Sequence, residues 1–361
     1  MRYFLVLLLL FCWVFDIKAQ IYTDSLGKFK IETSAYMEAY YVFDFAQPEN
    51  NERANYFVNH RRHNEFNVNH GIIETHINTE GVRANIALMI GTYSQYNLVA
   101  EQELIRNIYE GNVGFKLSKK RNLWLDAGIF ASHIGFESAI SKNCWALSRG
   151  LLAENTPYYE AGLKATYTNA DEKLWFSLLI LNGWQRIKRL DNNSMPSLGT
   201  QIQWKPRKNV LLNYSTYWGN EGTDSLKKIR FFNNFYGQWD INDKWGILAG
   251  FDIGWQNEEG NDEPKTWMAS SLIFRRKLSK NWIVNARLEH FFDDDNTIIS
   301  TKNNLDFRVL GYSLNFDYAP QPYMLIRMEA KGFSADKEVF GFQKDMTKQN
   351  FVLTSSMAVA F

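Results

Sequence analysis

WGILAGFDIGW, residues 245–255, alternates without a break. Trp245, Ile247, Ala249, Phe251, Ile253 and Trp255 share one parity, and Gly246, Leu248, Gly250, Asp252 and Gly254 share the other. A two-residue period puts these sets on opposite faces of a strand, one suited to an apolar medium and the other small and partly polar. The two tryptophans are ten residues apart, about 33 Å along a strand, which a tilt of ~40° projects to roughly 25 Å. That is the height of the apolar band between the aromatic girdles of an outer-membrane barrel. The stretch therefore reads as one membrane-crossing β-strand.

The same pattern recurs on both sides of it. WIVNARLEHFF (282–292) sets Trp282, Val284, Ala286 and Leu288 against Asn285, Arg287 and Glu289, and LGYSLNFDY (310–318) sets Leu310, Tyr312, Leu314 and Phe316 against Gly311, Ser313, Asn315 and Asp317. Strands are expected at 31–44, 63–77, 81–91, 105–118, 122–132, 156–169, 172–182, 197–206, 208–219, 230–242, 244–256, 266–279, 281–292, 306–320, 322–333 and 349–361. Short turns such as NTEG (78–81) and INDK (241–244) take turns with long polar connections such as 45–62, 133–155 and 293–305. Short turns at one end and long loops at the other mark a transmembrane β-barrel, the short turns being periplasmic. The expected fold is all-β: an antiparallel up-and-down transmembrane barrel of about sixteen strands, between fourteen and eighteen. Trp204, Trp218, Trp245, Trp255, Trp267 and Trp282 lie near strand ends and are expected in its aromatic girdles.

Composition agrees. Aromatic residues make up 16% of the chain and Pro numbers only 7, which favours strands. Residues 1–19 of MRYFLVLLLLFCWVFDIKAQ have an early Arg2, an apolar run from Tyr3 to Phe15 and a small Ala19, the layout of a signal peptide, although Ile17 is a poor small residue. The apolar run is short for an uncleaved anchor. Cleavage after Ala19 would leave residues 20–361 as the barrel, with Cys144 as its lone cysteine and no internal disulfide. It would also remove Arg2, Lys18 and Asp16, which balances acids and bases and offers no argument for nucleic acid binding.

No catalytic signature is present: no G-x-S-x-G, H-E-x-x-H, P-loop or dinucleotide fingerprint. NHRRHNEFNVNH (59–70) gathers three histidines, but without a metal-ligand spacing, so no metal site, catalytic residue or cofactor is expected. The acidic runs NEEGNDE (257–263) and DDDN (293–296) read as solvated loop charge more readily than as Ca²⁺ sites or ion bridges to lipopolysaccharide. Arg287, Glu289, Arg308, Asp317, Arg327, Glu329 and Lys331 alternate with apolar residues and are expected to face the lumen. Charges of both signs there suit a water-filled space, or else an interior closed by ion pairs. The connection SHIGFESAISKNCWALSRGLLAENTP (132–157) is long and apolar for a hairpin loop. Folded inward, it would place Glu137, Arg149 and Glu154 at a constriction; folded outward, it would cap the surface. In FVLTSSMAVAF (351–361) one face carries Phe351, Met357, Val359 and Phe361, expected to serve as the assembly signal on a strand that also closes the barrel.

Several segments resemble the OmpL-like β-barrel porins of Gram-negative outer membranes: NNERANYFVNHRRHNEFNVN (50–69), GVRANIALMIGTYSQYN (81–97), NIYEGNVGFKLS (107–118), LWLDAGIFASHIGFESAI (123–140), LLAENTPYYEAGLK (151–164), LNGWQRI (181–187) and GYSLNFDYAP (311–320). The resemblance implies an outer-membrane barrel of porin type and brings no catalytic positions with it. The expected activity is passive diffusion of small hydrophilic solutes. Expected partners are membrane lipid, lipopolysaccharide and the barrel-assembly machinery. The rivals are a non-conducting adhesin or scaffold and a barrel-borne lipase or protease.

Overall fold

The computed structural model describes residues 22–23, 29–260, 263–301, 304–342 and 345–361. The expected signal peptide and its cleavage point lie outside the described residues. Sixteen long strands follow one another: β1 (Phe29–Asp44), β2 (Phe66–Thr79), β3 (Val82–Ile90), β4 (Ile108–Lys116), β5 (Asn122–Ala131), β6 (Tyr159–Thr168), β7 (Leu174–Leu181) and β8 (Ser197–Arg207). The second half is β9 (Val210–Asn220), β10 (Lys228–Asp240), β11 (Trp245–Glu258), β12 (Lys265–Lys277), β13 (Trp282–Asp293), β14 (Phe307–Gln321), β15 (Met324–Ala335) and β16 (Gln349–Ala360). Each of the sixteen expected segments is a strand, with ends that differ by a few residues.

Each strand pairs antiparallel with its sequence neighbours, and β16 zips onto β1 from Val352 opposite Asp44 to Ala360 opposite Tyr36. The ladder continues where the Phe361 and Ala35 backbones exchange hydrogen bonds of 2.9 and 3.1 Å. Closure leaves no edge of the sixteen-strand ladder open, which is what a sheet in lipid requires.

Alternation becomes burial as expected. On β14, Leu310, Tyr312, Leu314 and Phe316 are exposed on the outer wall, and Val309, Ser313, Asn315 and Asp317 are buried on the inner one. Placing a cation on that outer wall near mid-height is costly, so Leu314→Arg should destabilise the barrel by about 2–4 kcal/mol. A urea titration in lipid vesicles reads this directly, and an unshifted midpoint would contradict the assignment of Leu314 to the lipid face.

Two parity assignments need correcting. Arg308 shares the parity of Leu310 and points outward; its guanidinium pairs with Asp294 and lies 5.0 Å from the Phe292 ring centroid. At the loop end of β14 that position lies beyond the apolar band, where an outward charge stays hydrated. Trp267 is 1% exposed and points inward, with Ala269, Ser271 and Ile273. Gly254 faces it across the β11–β12 pair, and a Cβ there would lie 2.1 Å from the indole. The missing side chain makes room for the ring inside the barrel. Trp204, Trp245 and Trp282 are exposed on the outer wall, and Trp218 and Trp255 are half-buried there, flanking Phe231 at 6.3 and 5.5 Å. Phe351, Met357, Val359 and Phe361 also face outward.

One irregularity matters for the interior. The β1–β2 register shifts between Glu38 and Ala39, because Glu38 pairs with His70 while Ala39 pairs with Val68. Asn69 is the extra residue of this bulge, and a bulge re-aims side chains. Asn69 and His70, adjacent in sequence, are consequently both fully buried.

Candidate functional site

The connection between β5 and β6, residues 132–158, folds into the lumen and crosses it. At its root, His133 sits between the Glu160 carboxylate and the Thr216 carbonyl, each 2.8 Å from a ring nitrogen. Burial pushes the imidazolium towards losing its proton, but the Glu160 charge and the hydrogen bonds to Glu160 and the Thr216 carbonyl together outweigh this and raise the His133 pKa. The loop then follows the wall. Gly135 N donates to Asn234 on β10, Leu147 N to Asn315 on β14 and Ser148 N to Glu329 on β15, while Ser141 Oγ donates to Glu38 on β1.

Its far side is held by buried charge. Arg327 forms a bidentate pair with Asp317 at 2.7 and 3.0 Å and also donates to the carbonyls of Ser141, Cys144 and Trp145. Arg287 pairs with Glu137 at 3.0 Å and donates to Ser148 O, and Lys331 pairs with Glu289 at 2.7 Å and donates to Arg149 O. Arg149 stays within the loop and donates to the carbonyls of Ser138, Leu147 and Ala139. Gly150 lets the backbone approach two carboxylates: a Cβ there would lie 2.7 Å from Glu289 Oε2 and 3.2 Å from Glu137 Oε2. Such buried pairs contribute little over a well-packed apolar substitute, but removing one partner strands the other at a cost of roughly 3–5 kcal/mol. They fix where the loop lies.

The first long connection, residues 45–65, also turns inward. Arg53 pairs with Asp44 at 3.0 Å, and His60 N donates to the bulge residue Asn69 at 2.9 Å. Glu154 of the crossing loop accepts from Val58 N, Asn59 N and Asn59 Nδ2, which joins the two loops. Burial raises the Glu154 pKa, and the Val58 amide opposes that rise. Burial likewise pushes the Cys144 thiol up, so it stays unreactive. His60 lies 3.3 Å from Glu38, whereas His63 accepts from Asp44 N. His60 and His63 thus have separate partners, and among the described residues no group of His, Cys, Asp and Glu is arranged to hold a metal ion.

The expected lumen residues therefore divide by task. Arg287, Glu289, Asp317, Arg327, Glu329 and Lys331 face inward but are covered by the loop they hold, and Glu137, Arg149 and Glu154 are buried within it. The opposite wall stays open. At the short-turn end of β2–β7 a polar recess of about 380 Å³ is lined by His76, Arg83, Asn85, Glu110, Asn112, Asp126, Lys164, Thr166 and Trp175, among others. Sequence analysis singled out none of these as lining the lumen. Their alternation with Ala84, Ile86, Val113 and Leu163 was the available signal, but parity alone does not say which wall a loop will cover.

Residues 30–361 match the family described as "Putative beta-barrel porin-2, OmpL-like". The chain belongs to this family. Solved outer-membrane proteins share the fold of this OmpL-like barrel. The outer membrane channel DcaP of Acinetobacter baumannii superposes with a TM-score of 0.62 at 10% identity, over 94% of this chain and 99% of that one. Outer-membrane-expressed OmpT of Vibrio cholerae gives 0.59 at 10% identity over 95% and 100%, and an anion-selective porin from Comamonas acidovorans gives 0.60 at 8% over 92% and 100%. No curated protein matches the sequence. The OmpL-like barrel is an outer-membrane protein of porin type.

Proposed function

We propose that this OmpL-like barrel is a passive channel for small hydrophilic solutes, narrowed by the crossing loop and seated in outer-membrane lipid and lipopolysaccharide. The observation that carries this reading is the inner wall of β2–β7 that the crossing loop leaves uncovered, where charged and amide side chains line an open recess of about 380 Å³ at the short-turn end. Polar side chains around open space hold water, and a hydrated interior is what a diffusion path needs. Membership of a porin family supports the same reading.

One observation favours the non-conducting rival. Tyr56, Phe57, Phe232, Trp267, Phe291, Phe307 and Phe333 form an apolar cluster inside the long-loop end of the barrel. Conductance in planar bilayers decides between the readings. The purified barrel should give small, discrete current steps. A folded, heat-modifiable protein with no ion conductance would remove the channel reading and leave the adhesin or scaffold.

A further inference from the structure

On the wall opposite the loop anchors, a cation and an anion both keep unused hydrogen-bonding capacity towards open space. Arg83 and Asp126 satisfy each other through bonds of 2.6 and 2.5 Å. Lys164, on β6 in the same recess, forms no ion pair or hydrogen bond among the described residues; its ammonium rests over the Phe130 ring, 4.1 Å from the centroid. Glu110, on β4, accepts from Asn85 and Asn112 through Oε2 alone, at 2.8 and 3.4 Å, which leaves Oε1 unengaged.

The charged strand residues of the recess are two of each sign, so neither a pure anion nor a pure cation gains from its net field. From this geometry we infer a binding site for a small zwitterion of amino-acid size, its carboxylate on Lys164 and its ammonium on Glu110. Asn112 and Thr166 supply neutral hydrogen bonds, and Trp175 presents an apolar edge to a side chain. The volume of about 380 Å³ falls in the range of small-ligand sites. The inference rests on the channel reading for its use in the cell, where the site would hold a solute entering from the short-turn mouth. Binding itself does not depend on conduction.

Calorimetric titration of the folded barrel in detergent with L-alanine and L-glutamine tests this, with acetate, methylammonium and glucose as controls. The zwitterions should bind saturably and the three controls at least several-fold more weakly. Lys164→Met keeps the aliphatic stem on Phe130, and Glu110→Gln keeps acceptance from Asn85; each should weaken zwitterion binding about tenfold, the worth of one charge-assisted hydrogen bond. Both variants must retain the wild-type thermal unfolding midpoint, and the double exchange Lys164→Glu with Glu110→Lys should recover part of the binding. The inference is overturned if glucose binds as well as alanine, if the variants bind like wild type, or if no saturable binding occurs. A barrel that binds alanine but carries no current would sink the channel reading and leave this site standing.

Discussion

Arg327→Met should raise single-channel conductance several-fold while the barrel itself remains folded. Arg327 is buried and holds four groups at once: the Asp317 carboxylate and the carbonyls of Ser141, Cys144 and Trp145. Its loss strands Asp317 without a counter-charge and removes the donors that tie the middle of the crossing loop to β15. The penalty for breaking such a buried pair, roughly 3–5 kcal/mol, exceeds what a short loop segment has to resist release. The sixteen-strand ladder loses no backbone bond, so heat-modifiable migration should be unchanged. Protease added to the outside of proteoliposomes should then cut between residues 138 and 149 in the variant and not in the wild type. Unchanged conductance together with unchanged protection would show that Arg327 is not what holds the loop.

Phe361→Ser should strongly reduce the amount of barrel in the outer membrane of cells and leave refolding into lipid vesicles nearly unaffected. The contrast follows from what the side chain does in the finished structure. Phe361 closes the ladder through its backbone, which serine keeps, while the residue is 40% exposed and, among the described residues, its ring stacks only on Tyr323 at 5.9 Å. Losing one partly exposed aromatic contact costs about 1 kcal/mol, small beside the closure of β16 on β1. A large fall in cellular yield would therefore reflect recognition of the strand by the assembly machinery and not stability. Normal insertion in cells would remove Phe361 from that role, and failure in vesicles as well would make the effect structural.

The sequence carried most of the fold because lipid and water impose a period of two on every crossing, and the period survives in stretches such as 245–255 and 310–318. It carried less of the interior. Parity misassigned Trp267, whose inward position depends on Gly254 on the next strand, and Arg308, whose outward charge is tolerated because it lies past the apolar band. The bulge at Asn69 broke the period where the first loop is held, so two consecutive side chains turn inward. Glu137, Arg149 and Glu154 are as far inside as an inward fold of the loop requires. The partners of Glu137 on β13 and of Glu154 in residues 58–59 come from chain brought together only by closure. The open wall of β2–β7 was hidden for the same reason, since which face stays uncovered is a property of the assembled ring.

Glu38 has a mechanical consequence. One carboxylate accepts from Asn69 at 3.0 Å and from Ser141 at 2.6 Å and lies 3.3 Å from His60, so β2, the crossing loop and the first loop meet on a single side chain. With Glu154 fastening the same two loops a second time, neither can leave without stranding polar groups on the other. The two loops therefore move as one body. The current trace should switch between two levels, the narrowed one and a fully open one, without dwelling between them.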